Sequence, residues 1–334
     1  MKKIILLLAI TLAITVSAFS APPKIGVFIP GVREGSPTYD DLASGAEKLA
    51  AEIPGASVKV FEAGFNQAEW EEKFTAFVAT GKFDIVMTSN PSLPDIIRKI
   101  SPMFPNQKFI ALDGYAAGVK NLYTVLYNQV EQAYIAGYLA GLVSVSSLPG
   151  ANPARKAGVL IGQHYPVMDK LILPGFLQGL KAADPAFQID LRVLGNWYDA
   201  TKAAELASGM IGGGADVILP IAGSASQGVI KTAQETGKYL VFFDSDEYAR
   251  APKNILGCVA LNQKALAYNT LKSALGGTLA YGMASVVGFK EGYIELLDKN
   301  PSYLTNVPAD IRQKVESARK QIVSGALVLK IPEL

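Results

Sequence analysis

Two apolar runs of the same form each end in an aspartate: Lys108-Phe109-Ile110-Ala111-Leu112-Asp113 and Tyr239-Leu240-Val241-Phe242-Phe243-Asp244. Each reads as a buried strand that delivers a carboxylate at its end. In an open α/β sheet, ligands sit beyond the carboxyl ends of the strands. Two such lobes face to face put an acidic acceptor on each wall of a cleft. That suits a small polar molecule with donor groups, and it suits capture better than turnover. Asp246 competes with Asp244, because alternation along an extended strand puts both on one side. The plainer alternative is that such aspartates only cap the next helix.

Aromatic residues gather at the same strand ends. Tyr39 follows the first strand, Tyr115 follows Asp113, Tyr165 follows Ile161-Gly162, and Trp197-Tyr198 follow 191–194. Facing rings clamp a planar heterocycle by stacking, each worth about 0.5–1.5 kcal/mol beyond burial. Asn128, Gln129 and Gln163 offer amides to ring edges of matching polarity. Gly223 opens a turn before a helix, where outward amides meet an anion or a hydroxyl, or where a serine merely caps. Lys290 is a candidate for a hydroxyl or phosphate, with a solvated lysine as the alternative.

Catalytic signatures are missing. There is no Gly-x-Ser-x-Gly elbow, Walker loop or His-Glu-x-x-His. His164 is the only histidine, which excludes a zinc site built on several imidazoles. Cys258 is the only cysteine and lies in an apolar run, so it reads as a buried thiol with no disulfide. No metal or cofactor is expected. Lys and Arg total 31 against 29 Asp and Glu, and losing Lys2 and Lys3 with a leader makes the chain formally neutral. With no basic stripe, nucleic acid is not an expected partner.

Positioning these residues requires two lobes, since 334 residues exceed one ordinary core. Residues 1–20 carry Lys2-Lys3, an apolar run over 4–16 and small residues before Ala21, the form of an export signal cleaved near Ser20/Ala21. The mature protein is therefore expected in the periplasm. Strands at 25–29, 58–61, 84–87 and 109–112 alternate with helices at 40–52, 69–79 and 95–103. That alternation predicts βαβ units and a parallel sheet. The plan restarts at 157–161, with strands near 189–193, 217–221, 240–243 and 255–261. The predicted class is α/β, two Rossmann-like lobes joined by three crossover segments. One lobe comprises 21–127 with 263–285, the other 128–262 with 286–334.

The chain resembles the basic membrane protein (BMP) family of type I periplasmic binding proteins. The resemblance is carried by 109–113, by 131–142, by Gly175-Phe176-x-x-Gly179, by 214–218 with the Ala222-to-Ile230 segment, and by Asp244-Ser245-Asp246. It covers nearly all of the mature chain. It implies a soluble, monomeric receptor that presents one ligand to an ABC permease, and no enzyme. Asp113 would read a base edge, Asp244 (or Asp246) would hold sugar hydroxyls beside Gly223, and Lys290 matches a late sugar-contacting lysine. Tyr39 and Trp197 or Tyr198 stand where nucleoside receptors stack rings. Thr38-Tyr39-Asp40, Gln163-His164-Tyr165-Pro166, Asn196-Trp197-Tyr198-Asp199 and Tyr127-Asn128-Gln129 are more similar to the riboflavin-binding branch. Riboflavin is the expected ligand, with a purine nucleoside as the alternative. An exported nucleoside or sugar hydrolase is a third possibility, with Asp113 and Asp244 as its acid and base.

Overall fold

A computed structural model describes residues 21–332, and the leader expected over 1–20 lies outside them. The first half runs β1 (Lys24–Ile29), α1 (Pro37–Ala51), β2 (Ser57–Glu62), α2 (Trp70–Ala79), β3 (Ile85–Ser89), α3 (Leu93–Ile100), β4 (Lys108–Leu112) and β5 (Leu122–Tyr127). The chain then enters α4 (Gln129–Ser144), β6 (Lys156–Ile161), α5 (Leu173–Ala183), β7 (Gln188–Val193), α6 (Ala200–Gly212), β8 (Val217–Ile221), α7 (Ser226–Thr236), β9 (Tyr239–Asp244) and β10 (Ile255–Leu261). It closes with α8 (Gln263–Leu275), β11 (Ala284–Val287), β12 (Ile294–Leu296), α9 (Pro301–Asn306) and α10 (Ala309–Ser324).

These elements build two six-stranded sheets of one design. Their orders are β11-β5-β4-β3-β1-β2 and β12-β10-β9-β8-β6-β7. Strand by strand, β1 to β5 correspond to β6 to β10. The inner strands β1, β3, β4, β6 and β9 are buried almost throughout, as apolar runs covered on both faces must be. The sixth strands differ: β11 pairs parallel to β5, whereas β12 pairs antiparallel to β10. The three-residue β12 and the short α9 carry no readable periodicity. A π-helical turn at Met168–Ile172 leads directly into α5.

The connections exchange helices between lobes. α4 follows β5 of the first sheet but packs on α5, β9 and β10 of the second. α8 follows β10 of the second sheet but packs on α1 of the first. Close approach makes the first of these contacts possible. A Cβ on Gly137 would lie 2.2 Å from the Phe176 carbonyl, and one on Gly179 would lie 2.1 Å from the Tyr134 carbonyl. The architecture is the two-lobe type I periplasmic binding fold.

Candidate functional site

Asp113 and Asp244 stand at equivalent places in the two sheets, just past β4 and at the end of β9. Both adopt left-handed backbone, with φ of 56° and 69°. That turn is uncommon outside glycine but tolerated by aspartate. It ends the strand alternation and swings each carboxylate into one shared cavity of about 80 Å³. Tyr39, Ser89 and Asn90 from the first lobe border the cavity, and Leu261 and Gln263 close it at the second crossing.

The electrostatics of this cavity are one-sided. Among the described residues, no lysine, arginine or histidine borders it. Burial, with the Asp244 charge adding to it, pushes the Asp113 carboxyl well above the usual carboxylate range. Burial also raises Asp244, opposed by a hydrogen bond from Gln132 Nε2 to its Oδ1 at 3.0 Å. Asp113 Oδ1 is buried with no partner. Arg33, in the loop after β1, is already engaged by Asp40 and Glu47. Two buried acceptors without a cation are costly unless a donor reaches them. An uncharged molecule rich in hydroxyl or N–H groups meets that need, whereas an anion brings further acceptors and no donor.

Rings follow a second pairing, with Tyr39 alone among them bordering the cavity. β1 and β6 correspond, and each is followed by a glycine with an aromatic ring on its backbone. A Cβ on Gly31 would lie 2.7 Å from the Tyr39 ring, and one on Gly162 would lie 2.5 Å from the Trp197 ring. Tyr39 OH accepts from Asn90 Nδ2 at 3.2 Å, and burial pushes its phenol up to about 12. Tyr165 packs on Trp197 with ring centroids 6.5 Å apart. It lies close enough to both aspartates and to Tyr39 for their charges to raise its phenol further, after burial.

With this geometry established, comparison with known proteins is decisive. A family model described as "ABC transporter substrate-binding protein PnrA-like" (Bmp) matches residues 23–327. The chain belongs to the Bmp family. A "CD4+ T-cell-stimulating antigen" of Listeria innocua is 24% identical over 350 residues, covering 88% of this chain and 92% of that protein. A purine-binding protein of Brucella abortus is 25% identical over 244 residues, covering 73% of this chain and 64% of its own. Among solved structures, an ABC transporter solute-binding protein from Aeropyrum pernix superposes with a TM-score of 0.78 at 20% identity, covering 93% and 94% of the two chains.

Not every expected site residue of this Bmp-family protein reaches the cavity. Tyr39, Asp113 and Asp244 border it. Asp246 does not: the left-handed turn at Asp244 breaks the alternation, and Asp246 instead accepts from Tyr248 N–H and Asn300 Nδ2. Trp197 packs on Gly162 and against Tyr165, both outside the cavity lining, and Tyr198 is 77% exposed. Tyr115, Gln163 and Lys290 are exposed and lie outside the cavity lining. Asn128 caps α4, accepting from Glu131 N–H and donating to Glu131 Oε1. Gln129 is buried with its Oε1 unpartnered. The Gly223 turn holds the Trp197 carbonyl through Ser224 Oγ and Ala225 N–H, so its donors steady a ring. Cys258 is buried, its thiol pushed up by burial, and His164 pairs with Asp169 at the surface.

Ser89, Asn90, Gln132 and Gln263 escaped the sequence reading. Ser89-Asn90 end β3 at the same sheet edge as Asp113, so scanning the end of every strand would have found them. Gln132 and Gln263 sit on helices, one turn and no turn past a crossing, where the sequence shows only two more polar residues.

Proposed function

We propose that this protein captures riboflavin between its lobes and delivers it unaltered to an ABC permease on the periplasmic face of the membrane, acting as a monomer. The observation that carries the reading is the pair of buried carboxylates, on opposite lobes, with no bordering cation. A ribityl chain supplies hydroxyl donors to such acceptors. Tyr39 borders the cavity on one side, and Trp197 with Tyr165 stands past the corresponding strand of the other lobe. The isoalloxazine plane enters between them as the lobes open, and Asn90 and Gln263 offer amides to its edge. The cavity, about 80 Å³ as the lobes stand, is well below the about 300 Å³ at which ligand pockets begin, so the lobes open to admit either ligand. We divide the lobes as 21–127 with 263–285 and 128–262 with 286–334. The packing of α8 on α1 and of α4 on α5 supports the first two boundaries, and β11, paired to β5 through Val287, moves the third from 285/286 to just past 287.

A purine nucleoside is the second reading, favoured by the purine-binding relative from Brucella abortus. It shares the flat ring and the hydroxylated arm. Quenching of flavin fluorescence on titration discriminates the two. The riboflavin reading expects saturable one-to-one quenching that inosine, guanosine and adenosine do not reverse. Absence of quenching, with a nucleoside raising the melting temperature, hands the site to the nucleoside. Chromatography of recovered ligand tests the hydrolase alternative, because a receptor returns it intact.

A further inference from the structure

The first two crossings carry the same pair of residues. β5 ends in Tyr127 and passes through Asn128-Gln129 into α4, and β10 ends in Leu261 and passes through Asn262-Gln263 into α8. Both asparagines cap their helices, accepting from Glu131 N–H and Ala265 N–H. Both glutamines are buried, but they are not equally held. Gln129 Oε1 has no partner. Gln263 Nε2 donates to Ser89 Oγ at 2.6 Å, and its Oε1 accepts from Tyr127 OH.

The result is a chain of hydrogen bonds from Ser89 at the end of β3, through Gln263 at the second crossing, to Tyr127 at the first. With the Tyr127 phenol donating to Oε1, Nε2 is left to donate to Ser89 Oγ, so one amide holds both hydroxyls. Tyr127 lies near Asp113 and Asp244, whose charges add to burial in holding its phenol protonated and therefore donating. Gln263 and Ser89 also border the cavity. The third crossing is tied differently. There Asn128 N–H donates to Val287 O at 2.7 Å and Phe289 N–H to Glu131 Oε2 at 3.2 Å, and neither pair borders the cavity.

Hinges move through a few backbone angles at such crossings. A side-chain bond between two crossing strands resists their relative twist. We propose that Gln263 is the coupling residue of the hinge: its amide, held by Tyr127 and Ser89, ties two of the three crossings together when the lobes are apposed, and its second Nε2 hydrogen meets the occupant of the cleft, so that occupancy sets the lobe angle. By linkage, a change that loosens the hinge must also weaken capture.

Spin labels at Lys82→Cys and Lys181→Cys, exposed sites on the two lobes, report the interlobe distance. Tyr127→Phe and Gln263→Leu are each expected to shift the ligand-free distribution to longer distances. With riboflavin, or a nucleoside if that is what binds, dissociation is expected to quicken about five- to tenfold while association changes less. The double variant should add little to Gln263→Leu alone, because the chain acts as one unit. If either variant fails to fold, Ser89→Ala carries the same test by deleting one hydroxyl. Unchanged distances together with a lowered melting temperature would reduce the chain to packing and overturn the inference. The ligand-bound arm rests on the capture reading above. Failure of the wild type to bind either ligand removes that reading, while the ligand-free distances still decide the hinge.

Discussion

Asp113→Asn should move stability and affinity in opposite directions. The carboxyl at this position is raised by burial and by Asp244, and its Oδ1 has no partner. A carboxyl raised on folding favours the fold below its ordinary range and loses that contribution as pH climbs through the folded value. Near neutral pH the ligand-free protein therefore bears the cost of a buried, unsatisfied group, about 1–3 kcal/mol. Asparagine has nearly the same shape, tolerates the φ of 56° and carries no charge beside Asp244. Urea unfolding of the ligand-free variant should show about 1–3 kcal/mol of added stability at neutral pH. That gain should shrink as pH falls and vanish only below about pH 3, where the wild-type carboxyl is protonated in both states. An amide in place of the carboxyl mispairs one ligand donor at a cost of about 1–3 kcal/mol, so affinity should fall roughly 5- to 150-fold. A variant that is less stable when empty at neutral pH, or that binds as tightly as the wild type, would refute the reasoning.

Three further substitutions probe the supports of the site. Gln132→Leu strands Asp244 Oδ1 and the Val259 carbonyl, which Gln132 Nε2 contacts at 3.0 and 2.8 Å; chemical denaturation should show a loss of about 1–3 kcal/mol, and titration a weaker complex. Gly162→Ala puts a methyl 2.5 Å from the Trp197 ring; the ring should leave its wall, shifting Trp197 emission to the red in a Trp70→Phe background and weakening binding about tenfold, with little change in unfolding. Gly137→Ala drives a methyl to 2.2 Å from the Phe176 carbonyl; this overpacking should cost about 1–3 kcal/mol of stability by thermal unfolding and leave ligand preference unaltered.

The repeated plan was readable because buried parallel strands are continuous apolar runs, and Asp113 and Asp244 each terminate one. Their shared left-handed turn was not readable, and it decides between Asp244 and Asp246: an alternation rule holds only while the strand continues. Neighbours in sequence diverge for the same reason. Trp197 and Tyr198 offer two rings, and only the bare backbone of Gly162, thirty-odd residues earlier, selects the first. Asn128 looked like a ligand amide because asparagine serves equally as a helix cap, and choosing between them needs the position of Glu131 N–H. Gln263 was hidden more deeply, since its meaning depends on Tyr127 and Ser89, which tertiary folding alone brings to it. The exposed Lys290 shows the limit of a resemblance carried over one residue at a time.

The central claim is that two cation-free carboxylates select an uncharged, hydroxylated flat ring. Paired titrations with riboflavin and riboflavin 5′-phosphate, which differ by one phosphate, test it most directly. The account predicts saturable quenching of riboflavin fluorescence and at least a hundredfold weaker response to the phosphate, a discrimination of about 2.7 kcal/mol. Equal binding of the two, or preference for the phosphate, would contradict it.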